Sequence, residues 1–262
     1  KRGMILSRWG GIGSHRYPVQ FSGDTPSEWS MLQHQIEFTV RSGGLGAVYW
    51  SHDIGGFFCR EKVDEELFVR WFQFGAMSPV FRTHSDHGIR EPWGYSDKTK
   101  NLFRKQTRIR CALAPYFYGL AREANEKGLP LIRPLYLEFN DNDGGALYRK
   151  HQYSIGRDLM VIPADGPVDK QSGVQRKRAY FPNGRWFGLE TSERFQGMLD
   201  GYIDIPIDRI PTYVREGAII PSQRVGRVVG SQVPEEIHFD YFPSANEKSA
   251  YELYEDDGES LE

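Results

Sequence analysis

The chain is short of cysteine, of long apolar runs and of excess charge of either sign. Its 262 residues hold two cysteines, Cys59 and Cys111, in unrelated settings and at no metal-ligand spacing. That excludes a disulfide-stapled scaffold and a cysteine zinc site, and leaves open whether the two pair or stay free. No apolar run approaches membrane-spanning length. Lys and Arg number 33 against 35 Asp and Glu, a formal net charge of −2. No basic stripe points to nucleic acid and no acidic tail to a disordered end. Internal repeats and low-complexity segments are absent, as is the charged-then-apolar design of a signal peptide. Lys1-Arg2-Gly3 runs almost directly into Met4-Ile5-Leu6, as in a chain cut from something longer. What the chain has in quantity is aromatic residues, 14% of the total. Aromatic faces suit the C–H patches of sugar rings, and they also fill large cores.

The first half alternates short apolar runs with helical patterns, which implies a parallel sheet. Residues 4–7 form a candidate strand ending at Arg8, and residues 17–22 a second ending near Asp24. Residues 27–41 show apolar positions mostly three and four apart, a helix that Gly43-Gly44 is expected to stop. A third strand at 47–50 delivers His52-Asp53, and a second helix follows at 64–77. Pro79-Val80-Phe81 reads as a fourth strand delivering Arg82 and His84, before a long helix over 98–127 bent at Pro115. Polar residues at each strand end fit a (β/α)8 barrel, whose chemistry gathers on that rim. Only four such units are present, half a barrel.

After Gly128 short strands separated by Gly, Pro, Asn and Asp predict a β-sandwich, and a further strand pair is expected at 237–241 and 251–254. The expected division is a half-barrel over 1–145, a β-sandwich over 146–224 and the start of a second β-domain over 225–262.

Four strand ends thus bring Arg8, Asp24, Asp53 and His84 to one rim. Each has a plain structural reading: an ion-pair arginine, a helix cap, a turn former before Gly-Gly and a loop histidine. Four in succession are harder to ascribe to chance. Sugar chemistry needs such a set, a carboxylic acid to protonate the leaving oxygen and charged groups to hold the ring hydroxyls. His52 and His87 lack partners at metal spacing, and Asp256-Asp257-Gly258 lacks the alternating ligands of a calcium loop. No cofactor or metal is implied.

Several motifs occur together: Ser7-Arg8, Gly23-Asp24 with Trp29 behind it, HDIGGF at 52–57, FRTH at 81–84, RIPTYVREGAIIP at 209–221 and LYEDDG at 253–258. Through them nearly the whole chain resembles the C-terminal part of family 31 glycoside hydrolases, which include α-glucosidases and α-xylosidases. The resemblance implies barrel strands five to eight, followed by the C-terminal β-domains. It makes Asp24 the catalytic general acid/base, and gives Arg8, Asp53 and His84 the task of holding the sugar. It also places Arg16, Phe21 and Trp50 on the pocket wall. It implies a retaining mechanism in which an ionised nucleophilic aspartate nearby keeps Asp24 protonated near neutral pH. The motif carrying that nucleophile does not occur in residues 1–262. The nucleophile is therefore expected from an N-terminal half, in the same polypeptide or in a second chain.

The expected substrate is a terminal non-reducing α-linked glucose of an oligosaccharide. The alternatives are an α-xylosidase or α-glucosyl transferase of the same family, with Phe58, Cys59, Trp93 and Tyr95 bordering the acceptor side, or a non-catalytic carbohydrate-binding relic. Oligosaccharide handling fits a secreted or periplasmic setting, and a cytoplasmic one stays open.

Overall fold

A computed structural model describes residues 3–8, 11, 13–59, 62–139, 149–226, 234–244, 248–258 and 260. Three short runs of aromatic and aliphatic residues make a parallel sheet: β1 (Leu6–Ser7), β2 (Val19–Phe21) and β3 (Tyr49–Ser51), side by side in chain order. Leu6 lies opposite Val19, and Val19 opposite Tyr49. Parallel neighbours need a crossover. Between β2 and β3 it is α1 (Trp29–Gly44), whose Leu32, Ile36 and Val40 are buried at four-residue spacing.

Helix α1 ends at Gly43-Gly44, as expected, but both glycines lie inside it. They are its last two residues, and Leu45 caps the helix. A Cβ on Gly43 would lie 2.2 Å from the Ile132 carbonyl oxygen, so that glycine serves the close approach of α1 to a following strand.

Helix α2 (Glu65–Ala76) starts at Asp64, whose carboxylate accepts the Leu67 N–H at 2.9 Å. It is buried on every side from Leu67 to Ala76, as a helix wedged between layers must be. The expected fourth strand at 79–81 does not form. One parallel bridge, Ile54 to Thr83, and the Ile54 N–H on the Arg82 carbonyl at 3.2 Å are what remains of it. Pro79 has no N–H to give a ladder, and the carbonyls of Ser78 and Pro79 are taken by the Arg110 guanidinium. The long helix divides at Leu113 into α3 (Asp97–Ala112) and α4 (Ala114–Lys127). Pro115 denies Cys111 its helical partner, and the Cys111 carbonyl accepts the Gln223 side-chain amide at 3.2 Å instead.

The remainder is mostly β. A six-stranded antiparallel sheet has the order β4 (Ile132–Arg133), β5 (Tyr153–Ile155), β6 (Leu159–Val161), β11 (Thr212–Arg215), β8 (Arg185–Gly188), β9 (Arg194–Gln196). A long pair, β7 (Val174–Phe181) with β10 (Leu199–Pro206), packs against it through Met160, Ala179, Phe181, Trp186, Ile205 and Tyr213. A short helix α5 (Leu135–Glu138) follows β4, which itself precedes residue 146. The expected 145/146 boundary lies outside the described residues.

Strand β12 (Ile219–Gln223) pairs with β13 (Ile237–Tyr241). The strand expected at 251–254 is absent. The Tyr254 ring lies against Tyr118 of α4 at 5.5 Å, and Tyr251 reaches the same helix beside Gly119. Residues three apart point to opposite faces of a strand, so a strand could not lay both rings on one helix.

Candidate active site

The ends of β1, β2 and β3 converge on a cleft of about 660 Å³ whose walls include Arg8, Phe21, Asp24 and Trp50. Gly23 makes the first contact possible. Its φ is +85°, and the space a Cβ would fill is taken by the Arg8 guanidinium, 3.0 Å from the ideal Cβ position. Arg8 Nη1 lies 3.3 Å from Asp24 Oδ1, with both side chains partly open to solvent. The Arg8 guanidinium stands 5.7 Å from the Phe21 ring centroid and that of Arg82 5.3 Å from the same ring, so Phe21 supports two cations.

The loop carrying Asp24 is held by the HDIGGF turn. The N–H groups of Phe57 and Phe58 both donate to the Thr25 carbonyl, at 2.7 and 2.9 Å, and the Ser27 N–H donates to the Phe58 carbonyl. Ser27 Oγ donates to the Gly55 carbonyl at 2.6 Å, while the buried Arg90 guanidinium donates to the Gly56 carbonyl at 2.6 Å. Gly56, at φ +80°, would place a Cβ 2.7 Å from Ser27 Cα. Only glycine admits this contact between the two loops.

Asp53 is fully buried. Its Oδ1 is paired with the Arg82 guanidinium, and its Oδ2 has no hydrogen-bond partner among the described residues. Burial pushes the Asp53 carboxyl above its ordinary range. Arg82 and His84 oppose that shift, and the neighbouring Asp24 charge adds to it. A buried carboxylate oxygen without a donor is costly, so Oδ2 calls for an N–H or O–H partner.

His84 is exposed, its ring 5.2 Å from that of Phe57. Trp50 is buried edge-on against Phe38 of α1 at 4.9 Å, and its indole N–H is unpartnered among the described residues. Arg16 stands apart. It lies exposed on the 3-10 turn Ser14–Arg16, ahead of β2, whereas Asp24 follows that strand. Of the acceptor-side residues, Phe58 and Trp93 are exposed, but Tyr95 is buried against Phe68 and bonds the Ile89 carbonyl. Cys59 and Cys111 are both free thiols.

Arg82 reaches the rim two residues before His84 inside the FRTH motif, and its role there is to pair with Asp53. His52, which lacks partners at metal spacing, is the centre of a buried hydrogen-bond chain. Among the described residues no group of three or more His, Cys, Asp or Glu could hold a metal ion.

The chain is 32% identical to "Alpha-glucosidase 2" of Bacillus thermoamyloliquefaciens over all of its own length and 32% of that protein's. It is equally similar, at 32%, to an "Alpha-xylosidase" of Saccharolobus solfataricus, covering 35% of that protein. It thus spans about a third of these relatives. Its fold superposes on a Flavobacterium johnsoniae GH31 dextranase complexed with isomaltotriose with a TM-score of 0.90 and 31% identity, covering 99% of this chain and 33% of that one. The family model "Glycosyl hydrolases family 31 TIM-barrel domain" matches residues 1–120, and "Glycosyl hydrolase family 31 C-terminal domain" matches residues 128–220. Two successive domain models of one family, matched in order by a chain whose strand ends build a rim of paired carboxylates and arginines, make this chain a member of glycosyl hydrolase family 31.

Proposed function

We propose that the chain supplies the acid/base half of a retaining exo-α-glycosidase, acting on terminal non-reducing α-linked glucose of oligosaccharides. The observation that carries this is the pairing of two unlike carboxylates. Asp24 is accessible and held beside Arg8, and Asp53 is buried with one oxygen unpartnered. In the first step Asp24 gives its proton to the glycosidic oxygen while a nucleophilic carboxylate attacks the anomeric carbon. The C–O bond breaks and the aglycone leaves as an alcohol. In the second step Asp24 takes a proton from water, whose oxygen displaces the nucleophile and restores the starting configuration. Asp53 and Arg8 hold ring hydroxyls, with His84 at the exposed side and Phe21 beneath the two arginines. Arg16 and Trp50 belong to the outer wall.

In this reading β1, β2, β3 and the segment at 79–83 are barrel strands five to eight. The half-barrel ends ahead of β4, which already belongs to the six-stranded sheet of a β-sandwich running to residue 224, and a further β-domain begins at 225. The nucleophile comes from the preceding half of the same enzyme. An α-xylosidase or α-glucosyl transferase would use the same residues, and the sugar released separates the readings.

The test is Asp24→Asn in the complete enzyme. We expect kcat/KM for unactivated α-glycosides to fall about 10²–10⁴-fold, the usual worth of a general acid. p-Nitrophenyl α-glycosides, whose leaving group needs little protonation, should lose far less. Equal loss on both substrates rules out the acid role.

A further inference from the structure

Behind the rim runs a chain of buried hydrogen bonds that ends on no solvent. The Trp71 indole N–H donates to His52 Nδ1 at 3.1 Å. An indole N–H can only donate, so Nδ1 is the acceptor and the ring proton sits on Nε2. Nε2–H then donates to Ser78 Oγ at 3.1 Å, and the Ser78 hydroxyl donates to the Phe74 carbonyl at 2.9 Å. Trp71, His52, Phe74 and Ser78 are all fully buried, and the His52 ring stacks on that of Phe74 at 4.4 Å and 5°.

Both ends of this chain, Trp71 and Phe74, lie on α2, and its two middle members reach the two sides of the site. His52 immediately precedes Asp53 at the end of β3. Ser78 opens the segment that leads to Arg82, the cation paired with Asp53. That segment has no strand ladder to fix it. Its carbonyls are held instead: Met77 by the Tyr153 hydroxyl at 3.1 Å, Ser78 and Pro79 by the Arg110 guanidinium at 2.5 and 2.9 Å.

We propose that His52 is a positioning residue: as a neutral imidazole joining Trp71 to Ser78, it sets the Asp53–Arg82 pair at the geometry that receives the sugar, and it carries no proton in the reaction. This rests on the reading of Asp53 as a sugar-holding group. The surroundings agree with a neutral ring. Burial, with Arg82 nearby, depresses the imidazole to about 3. The charged and titratable groups around it are Arg82, Asp53, Arg110 and Tyr153, and Asp53 is already paired with Arg82.

The experiment compares His52→Ala, Ser78→Ala and Asp53→Asn in the complete enzyme, on activated and unactivated α-glycosides across pH. A positioning role predicts that kcat/KM falls at least tenfold in His52→Ala and severalfold in Ser78→Ala. The loss should be equal for both leaving groups, and the pH profile should keep its wild-type limbs at reduced height. Loss confined to the unactivated substrate, or disappearance of a limb, would assign His52 a proton-transfer role and overturn the proposal. Wild-type kcat/KM with a lowered melting temperature would make the chain of bonds purely structural and overturn it as well. Should the variants not fold, the unmutated protein decides by nitrogen NMR. The ring proton should be on Nε2 and the ring should not titrate above pH 5; either contrary result removes the proposal. Wild-type kcat/KM in Asp53→Asn would instead remove the sugar-holding role of Asp53, a failure separate from that of the His52 assignment.

Discussion

At the scale of single residues, the site depends on side chains that are missing as much as on those present. Gly23 adopts φ +85° and leaves its Cβ space to the Arg8 guanidinium. Gly23→Ala adds about 1–2 kcal/mol of backbone strain and pushes Arg8 off Asp24. We expect a melting temperature a few degrees lower and kcat/KM at least tenfold lower, read by calorimetry and steady-state kinetics on the same preparation. Unchanged kinetics would mean that the Arg8–Asp24 contact is dispensable. Asp24, Asp53 and Arg8 were legible in the sequence because charged residues directly after apolar runs fall on the strand-end rim. Arg82 is also legible at the end of its segment, but its pairing with Asp53 is not, because the two are 29 residues apart and no local pattern joins them. Arg16, placed on the pocket wall by the resemblance alone, sits on an exposed turn whose neighbours Ser14 and Tyr17 border the cleft.

At the scale of elements, the helices were readable and some of their ends were not. Local propensity makes Gly43-Gly44 a stop signal, whereas Gly43 answers the backbone of Ile132, far away in sequence. Pro79-Val80-Phe81 has the composition of a strand, but the carbonyls around it are claimed by Arg110. Likewise Tyr251 and Tyr254 follow α4 rather than a sheet.

The starts of α2 and α3 are joined by Glu65, which accepts from Ser96 Oγ at 2.5 Å, from Thr99 Oγ1 at 2.6 Å and from Lys62 at 3.2 Å. The Ser96 hydroxyl, then Thr99 and Lys62, hold its carboxyl at about 2, below the ordinary 4.5. A depressed carboxyl binds fewer protons folded than unfolded, so its contribution is complete above pH 4.5 and is lost as pH falls through about 2. Hydrogen exchange at 96–99 should therefore accelerate between pH 4.5 and 2, beyond the intrinsic trend, and this excess should vanish in Glu65→Gln. The same excess in the variant would contradict the link.

At the scale of the whole molecule, α2 is the wedge between the parallel sheet and the β-layer. Its buried Arg70 donates to the carbonyls of Ile205 and Pro206 at 3.0 and 2.8 Å, and Gln73 to that of Ile207 at 2.8 Å, so the end of β10 rests on the helix that supports the rim. On the other side, Met4, Ile5 and Leu6 at the β1 edge are exposed, an apolar border fit for a further parallel strand. That edge is where the preceding half of the enzyme, with its nucleophile, joins in the proposed catalyst.

The most direct measurement is therefore made on the complete enzyme, with Asp24→Ala and p-nitrophenyl α-glucoside. Once Asp24 is gone, azide, which needs no base, can attack the glycosyl-enzyme from the face that water uses. We predict that azide restores turnover of the variant, leaves the wild type unaccelerated and yields the α-glucosyl azide. Absence of rescue, or a β-azide product, would contradict the assignment of Asp24 as the acid/base of a retaining glycosidase.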